Sequence, residues 1–122
     1  MKEKLEQLFI EANKYTFDRI NGEDISALSR ELFKDLEERE PTSFNEIKKD
    51  CGYKNAEEMG DDFAYALKKS LGFYNKHPRI KIEELELKDK LKLVKDYVKR
   101  YMNGSYKSKV VGLIRKIRKI VD

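Results

Sequence analysis

The stretch Arg79–Met102, "RIKIEELELKDKLKLVKDYVKRYM", decides between an all-helical chain and a mixed one. Ile80/Ile82 and Leu85/Leu87 alternate as a half-buried strand would, yet no turn residue separates the two pairs. Further on, Leu87, Leu91, Val94, Val98 and Tyr101 recur at spacings of three and four, which is the period of one helix face. The pattern predicts a short extended segment near residues 79–87 and a helix from about Glu84 to Met102. No second strand is available for pairing, so the chain reads as all-α.

Working outward from this segment gives the same answer. Downstream, Asn103-Gly104 supplies a helix stop and Ser105 a cap for the final stretch, "SYKSKVVGLIRKIRKIVD". There Tyr106, Val110, Leu113, Ile114, Ile117, Ile120 and Val121 fall on one face. Upstream, Leu5, Leu8, Phe9, Ala12, Tyr15 and Ile20 mark a helix from Lys2 to Ile20, stopped at Asn21-Gly22. A second helix, about Asp24 to Arg39, turns Ile25, Leu28, Leu32, Phe33 and Leu36 inward and ends before Pro41. Ser43 with Glu46 reads as a capping box that opens a third helix, closed by Gly52. Asn55 with Glu58 repeats the device for a fourth, which carries Met59, Phe63, Ala66, Leu67 and Leu71 up to Gly72. "FYNKHP" then reads as a loop. The expectation is a single helical domain over residues 1–122, a bundle of five or six helices.

Composition sets the limits. Leu, Ile, Val and Phe make up 32 of the 122 residues, enough for a small core beneath a coat in which 41% of all residues are charged. No run of apolar residues is long enough to span a bilayer. The N-terminal "MKEKLEQLFIEANK" has acids inside its apolar stretch and no small-residue cleavage site, unlike a signal peptide. A single cysteine, Cys51, fits a reduced, cytoplasmic setting.

Catalytic chemistry finds few candidates. The one histidine, His77, sits in the loop beside Pro78, and Cys51 falls near a helix C-terminus, where carbonyl dipoles disfavour a thiolate. Glu57, Glu58, Asp61 and Asp62 form two i,i+4 pairs, but the Glu-x-x-His of dinuclear carboxylate bundles is missing; acids in a first turn complement the helix dipole. No glycine-rich phosphate loop is present. The expectation is a non-enzyme with neither cofactor nor metal. "FNEIKKDCGYKNAEEMGDDFAYAL" has the outline of a helix-turn-helix, but Lys48 and Glu58 stand at its apolar anchor positions. Its second helix would also present four acids to a polyanion.

Charge is polarised. Residues 1–64 hold 10 basic and 17 acidic side chains, whereas residues 88–119 hold 12 basic residues against Asp89 and Asp96 alone. On the fifth helix Lys88, Lys92, Lys95 and Lys99 form one stripe, read as lying opposite the apolar face. On the last, Ser108, Gly112, Arg115 and Lys119 form the back line. Lys109 and Lys116 flank it on one side, and Lys107 and Arg118 on the other. A glycine there weakens the helix and invites a close approach. The candidate binding surfaces are therefore a basic one (Lys88, Lys92, Lys95, Lys99, Lys109, Arg115, Lys116, Arg118, Lys119) and an acidic one (Glu57, Glu58, Asp61, Asp62). The leading expectation is a regulator or inhibitor, of antitoxin or immunity type, that occupies a protein partner. Nucleic acid bound by the basic helices is the alternative, and a membrane surface ranks last. The competing view is that the two charged halves simply attract each other within one fold.

Overall fold

The computed structural model describes the whole chain except residues 19–21, 78 and 122, and at Asp18 the backbone alone. Among the described residues it contains six α-helices and no strand. They are α1 (Lys2–Asp18), α2 (Gly22–Arg39), α3 (Pro41–Cys51), α4 (Ala56–Tyr74), α5 (Leu87–Tyr101) and α6 (Gly104–Val121), with one 3-10 turn at Ile82–Glu84. The all-α bundle expected from the apolar periodicity is what forms.

Residues 79–87 are neither strand nor continuous helix. The 3-10 turn is followed by extended backbone at Leu85 and Glu86, and α5 starts at Leu87 rather than Glu84. Ile82 is buried while Ile80 and Leu85 are half-buried. The alternation thus serves a connector laid against the core, with no neighbouring strand.

Other boundaries move for local reasons. Pro41 occupies the first turn of α3, where its missing N–H leaves no hydrogen bond unmade. That helix therefore begins before Ser43, and the Ser43–Glu46 capping box does not form: Glu40 is the cap residue and makes no side-chain bond. Gly52 closes α3 in the left-handed region (φ 78°), and its N–H donates to the Lys48 carbonyl. Asn55 caps α4 as expected, accepting from the Glu58 N–H at 2.9 Å. α4 runs on through Gly72 to Tyr74, so Phe73 and Tyr74 of the expected loop are helical. Gly22 lies inside α2 and Ser105 inside α6, one step past Gly104. Ile20 and Asn21, assigned to the end of α1 and its stop, lie outside the described residues.

α4 is the central element and packs against α1, α2, α5 and α6. Ten of its 19 residues are buried, so it cannot serve as the exposed reading helix of a helix-turn-helix. Its closest neighbour is α2, and Gly60 sets the distance: a Cβ there would lie 2.6 Å from the Arg30 N and Cα and 2.9 Å from the Ser29 carbonyl carbon. Phe33 and Phe63 meet edge to face beside this crossing, with centroids 5.8 Å apart.

Polar contacts fix the remaining elements. Asp35 is buried on α2, taking the Arg39 Nε at 2.9 Å and the Lys4 ammonium of α1 at 3.5 Å. Asn75, capping α4, donates to Asn13 and Thr16 of α1, and Asn13 in turn donates to Glu83 of the 3-10 turn. Tyr74 donates from α4 to the Leu93 carbonyl of α5, and Tyr106 from α6 to the Asp62 carbonyl of α4.

The two glycines of α4 should respond oppositely to a methyl group. Gly60→Ala pushes two backbones apart and should destabilise the fold by about 1–3 kcal/mol. Gly72 has open space where its Cβ would be, so Gly72→Ala should stabilise by about 0.5–1 kcal/mol. Urea titrations of both variants would show midpoints moving apart; a shift of the same sign in each would contradict the packing described.

Candidate functional site

The acidic candidates are drawn into the fold. Asp61 accepts from the Arg30 Nε of α2 at 2.7 Å, and Glu57 lies 3.9 Å from Lys34 of the same helix. Glu58 takes the Lys109 ammonium of α6 at 2.8 Å. Asp62 is half-buried, and burial raises its carboxyl pKa against the opposing pull of Tyr53 and Lys109. Glu57, Glu58 and Asp61 therefore tie α4 to α2 and α6, and the four acids do not form one free acidic face.

One flank of the basic candidates goes the same way. Lys109 covers the Tyr53 ring at 4.9 Å while paired with Glu58. Lys116 reaches Asp50 at 2.8 Å and Glu46 at 3.9 Å, both on α3. Between these two lysines sits Gly112, where an added Cβ would stand 3.0 Å from the Cys51 Sγ. The close approach that Gly112 permits is thus made by α3 of the same chain, which breaks the expected Ser108–Gly112–Arg115–Lys119 line as a free surface. Desolvation pushes the Cys51 thiol pKa up, away from a reactive thiolate.

The other cations remain outside these pairs. Among the described residues, Lys88, Lys92, Lys95, Lys99, Arg115, Arg118 and Lys119 have no carboxylate within ion-pair distance. Lys95 of the lysine stripe lies on the flank of α5 that faces Arg115 and Arg118 of α6, rather than opposite the apolar face. Lys95 is half-buried there, and its pKa is lowered first by desolvation and then by Arg118, with Lys99 and Arg115 adding to the effect. Among the described residues, the Arg118 Nε is buried without a hydrogen-bond partner.

A second feature escaped sequence reasoning. On the opposite flank of α5, an open groove of about 670 Å³ is lined by Tyr15, Tyr65, Lys68, Lys69, Phe73 and Tyr97, with Gly72 and Lys76 along α4. Tyr101, expected to face inward, is 49% exposed instead. It packs on Phe73 and Tyr97, with centroids 5.0 Å away in both cases. The core face of α5 is used up by Leu87, Leu91, Val94 and Val98, so its last turn projects beyond the core. The available signal was the row Tyr65–Lys69–Gly72–Lys76, spaced four, three and four off the apolar face of α4. His77 is exposed and lies against Phe73 at 4.6 Å.

Among the described residues no three of His, Cys, Asp and Glu converge closely enough to hold a metal ion, and no helix is long and apolar enough to cross a membrane. In comparisons with known proteins, the chain has no significant match to a family model, a curated protein or a solved structure.

The ion pairs at the α3–α6 seam predict an acid limb in stability. Asp50 is held below the ordinary carboxyl range by the hydrogen bond and charge of Lys116, and Glu58 by its bond to Lys109. A carboxyl depressed on folding contributes stability above its unfolded pKa, about 4, and loses it as pH falls through the folded value. Asp50→Asn should therefore flatten the decline of the urea midpoint below about pH 4, with little change in the slope near neutrality. An unaltered acid limb would show that the pair contributes nothing.

Proposed function

We propose that this is a non-enzymatic binding protein whose target is nucleic acid, gripped through the phosphates by the α5–α6 face. The observation that carries the reading is the set of seven cations that have no carboxylate partner among the described residues, Lys88, Lys92, Lys95, Lys99, Arg115, Arg118 and Lys119, gathered on two packed helices while Lys109 and Lys116 are neutralised internally. A surface of this kind suits a polyanion, whose phosphates replace condensed counterions with lysine and arginine. It suits a protein partner less well. Protein interfaces anchor on large apolar or aromatic side chains at their centre, and the exposed large apolar residues, Ile10, Phe17, Tyr65 and Tyr101, are on α1, α4 and the outer turn of α5.

Binding of this type is salt-dependent and indifferent to sequence. A face engaging about four phosphates gives a slope of log K against log salt of about −3 to −4. Raising salt from about 50 to 200 mM should then weaken binding roughly sixty-fold or more. Replacing Lys92 and Lys99 together by Gln should reduce that slope by about 1.5–2. The matched change at Lys34 and Lys81, exposed lysines away from this face, should leave it unaltered. No mobility shift at low salt with either DNA or RNA rules the reading out.

The regulator of a protein partner keeps one specific support, the exposure of Ile10 and Phe17 on α1, at 48% and 67%. It predicts that a stoichiometric partner recovered with the native chain is lost on Ile10→Ser with Phe17→Ser, while Lys92→Gln with Lys99→Gln still recovers it. Retention in the α1 variant would remove this second reading.

A further inference from the structure

We infer that the groove between α1, α4 and α5 is a stacking site for unpaired bases, so that the nucleic acid taken by this chain is single-stranded. The inference rests on the nucleic-acid reading of the α5–α6 face and specifies the form of the strand. It has its own geometric ground.

The groove continues past Tyr65, Lys69 and Tyr97 into a second depression lined by Tyr101, Met102, Asn103 and Tyr106. Together they form one aromatic strip across four helices and the α5–α6 turn. Tyr65 and Tyr101 are each about half exposed, and Tyr65 is fixed at its edge by the Tyr106 ring at 5.5 Å. Rings held by their neighbours lose little freedom when a base stacks on them.

Cations stand among the rings. Lys69 lies 5.6 Å from the Tyr65 centroid, and Lys68 5.8 Å from that of Tyr15 while donating to Ser26 at 3.1 Å. Lys76 is exposed at the far end. Among the described residues no carboxylate lines either depression. From Tyr65 to Gly72 the row extends about 10 Å along α4 and Lys76 follows just past the helix end, room for a short run of nucleotides. Aromatic faces for bases and ammonium groups for phosphates make up the usual single-strand platform. An acidic peptide would satisfy the lysines and leave the rings unused.

Gly72 adds an independent point. A glycine inside a helix weakens it, and the other three helix glycines with close neighbours have packing reasons: Gly22 for Tyr15, Gly60 for α2 and Gly112 for Cys51. At Gly72 no neighbour comes within 4 Å of the added carbon, and the residue lies on the groove lining. The space is kept open on the side where a ligand would sit.

The test uses fluorescence anisotropy of labelled oligo-dT and oligo-U, a duplex of equal length, and a polyglutamate peptide of equal charge. The native tyrosine emission is followed at the same time, since the chain has seven tyrosines and no tryptophan. We expect single strands to bind more tightly than duplex and to quench tyrosine emission. Gly72→Leu sends a side chain into the groove from a position whose Cβ meets nothing within 4 Å, and should lose about tenfold or more in single-strand affinity and most of the quenching, with thermal stability retained. Tyr65→Ala with Tyr101→Ala should act likewise, while duplex binding, set by the phosphates on α5 and α6, should be unchanged. Equal binding of both forms, unaffected by Gly72→Leu, overturns the groove and leaves the basic face standing. No binding to any nucleic acid overturns both. Polyglutamate binding that Gly72→Leu abolishes reassigns the groove to an acidic peptide and overturns the proposal.

Discussion

Where α4 crosses α2, the Gly60 Cα faces the backbone of Ser29 and Arg30 with no room for a single methyl group. Everything that α4 carries is placed by that contact. With the two helix axes this close, Phe33 and Phe63 interlock beside the crossing, and Arg30 can reach Asp61 one residue further on. Ser29 is fully buried with its hydroxyl unbonded, so its small volume serves the crossing and its polarity does not. The opposite side of α4 is then left to meet α1, α5 and α6.

Electrostatics divides the surface along similar lines. The acids of α3 and α4 and the cations on one flank of α6 are complementary and close to within hydrogen-bond distance, as Glu58–Lys109 and Asp50–Lys116 show. Such pairs are partly exposed and each contributes little to stability. Their larger effect is selective: they withdraw two of nine candidate cations from the solvent surface and leave the rest grouped. The view that the two charged halves attract each other holds for Lys109 and Lys116, while Arg115, Arg118 and Lys119 of the same helix stand outside those pairs among the described residues.

Much of this was legible in the sequence. Period-3.6 spacing located α1, α2, α4, α5 and α6, while α3 was read from a capping box that does not form and from its closing glycine; Gly52 and Asn55 marked the α3–α4 turn through backbone conformation and a side-chain cap, which are local properties. Errors arose where two local signals competed. Pro41 overrode the Ser43 capping box, and Gly72, read as a stop, lies inside the last turn of α4 because Phe73 and Tyr74 continue the helix and pack against α5. Site residues were harder to place. Whether Lys116 or Lys119 is free depends on α3 lying beside one flank of α6, a tertiary fact that no helical wheel contains. Tyr101 looked like core because its spacing continued the apolar series, yet the core ends a turn earlier.

The segment from Lys88 to Lys119 has a net charge of +10, which bears on how the chain assembles. The α5–α6 hairpin repels itself when alone, and the apolar faces of its two helices are completed only by α4 and α3. The four N-terminal helices carry the opposite excess, and α2 and α4 are near neighbours along the chain, which favours their early association. In the folded chain Lys109 and Lys116 join this hairpin to the acids of α4 and α3, so opposite charge meets at the seam between the two parts.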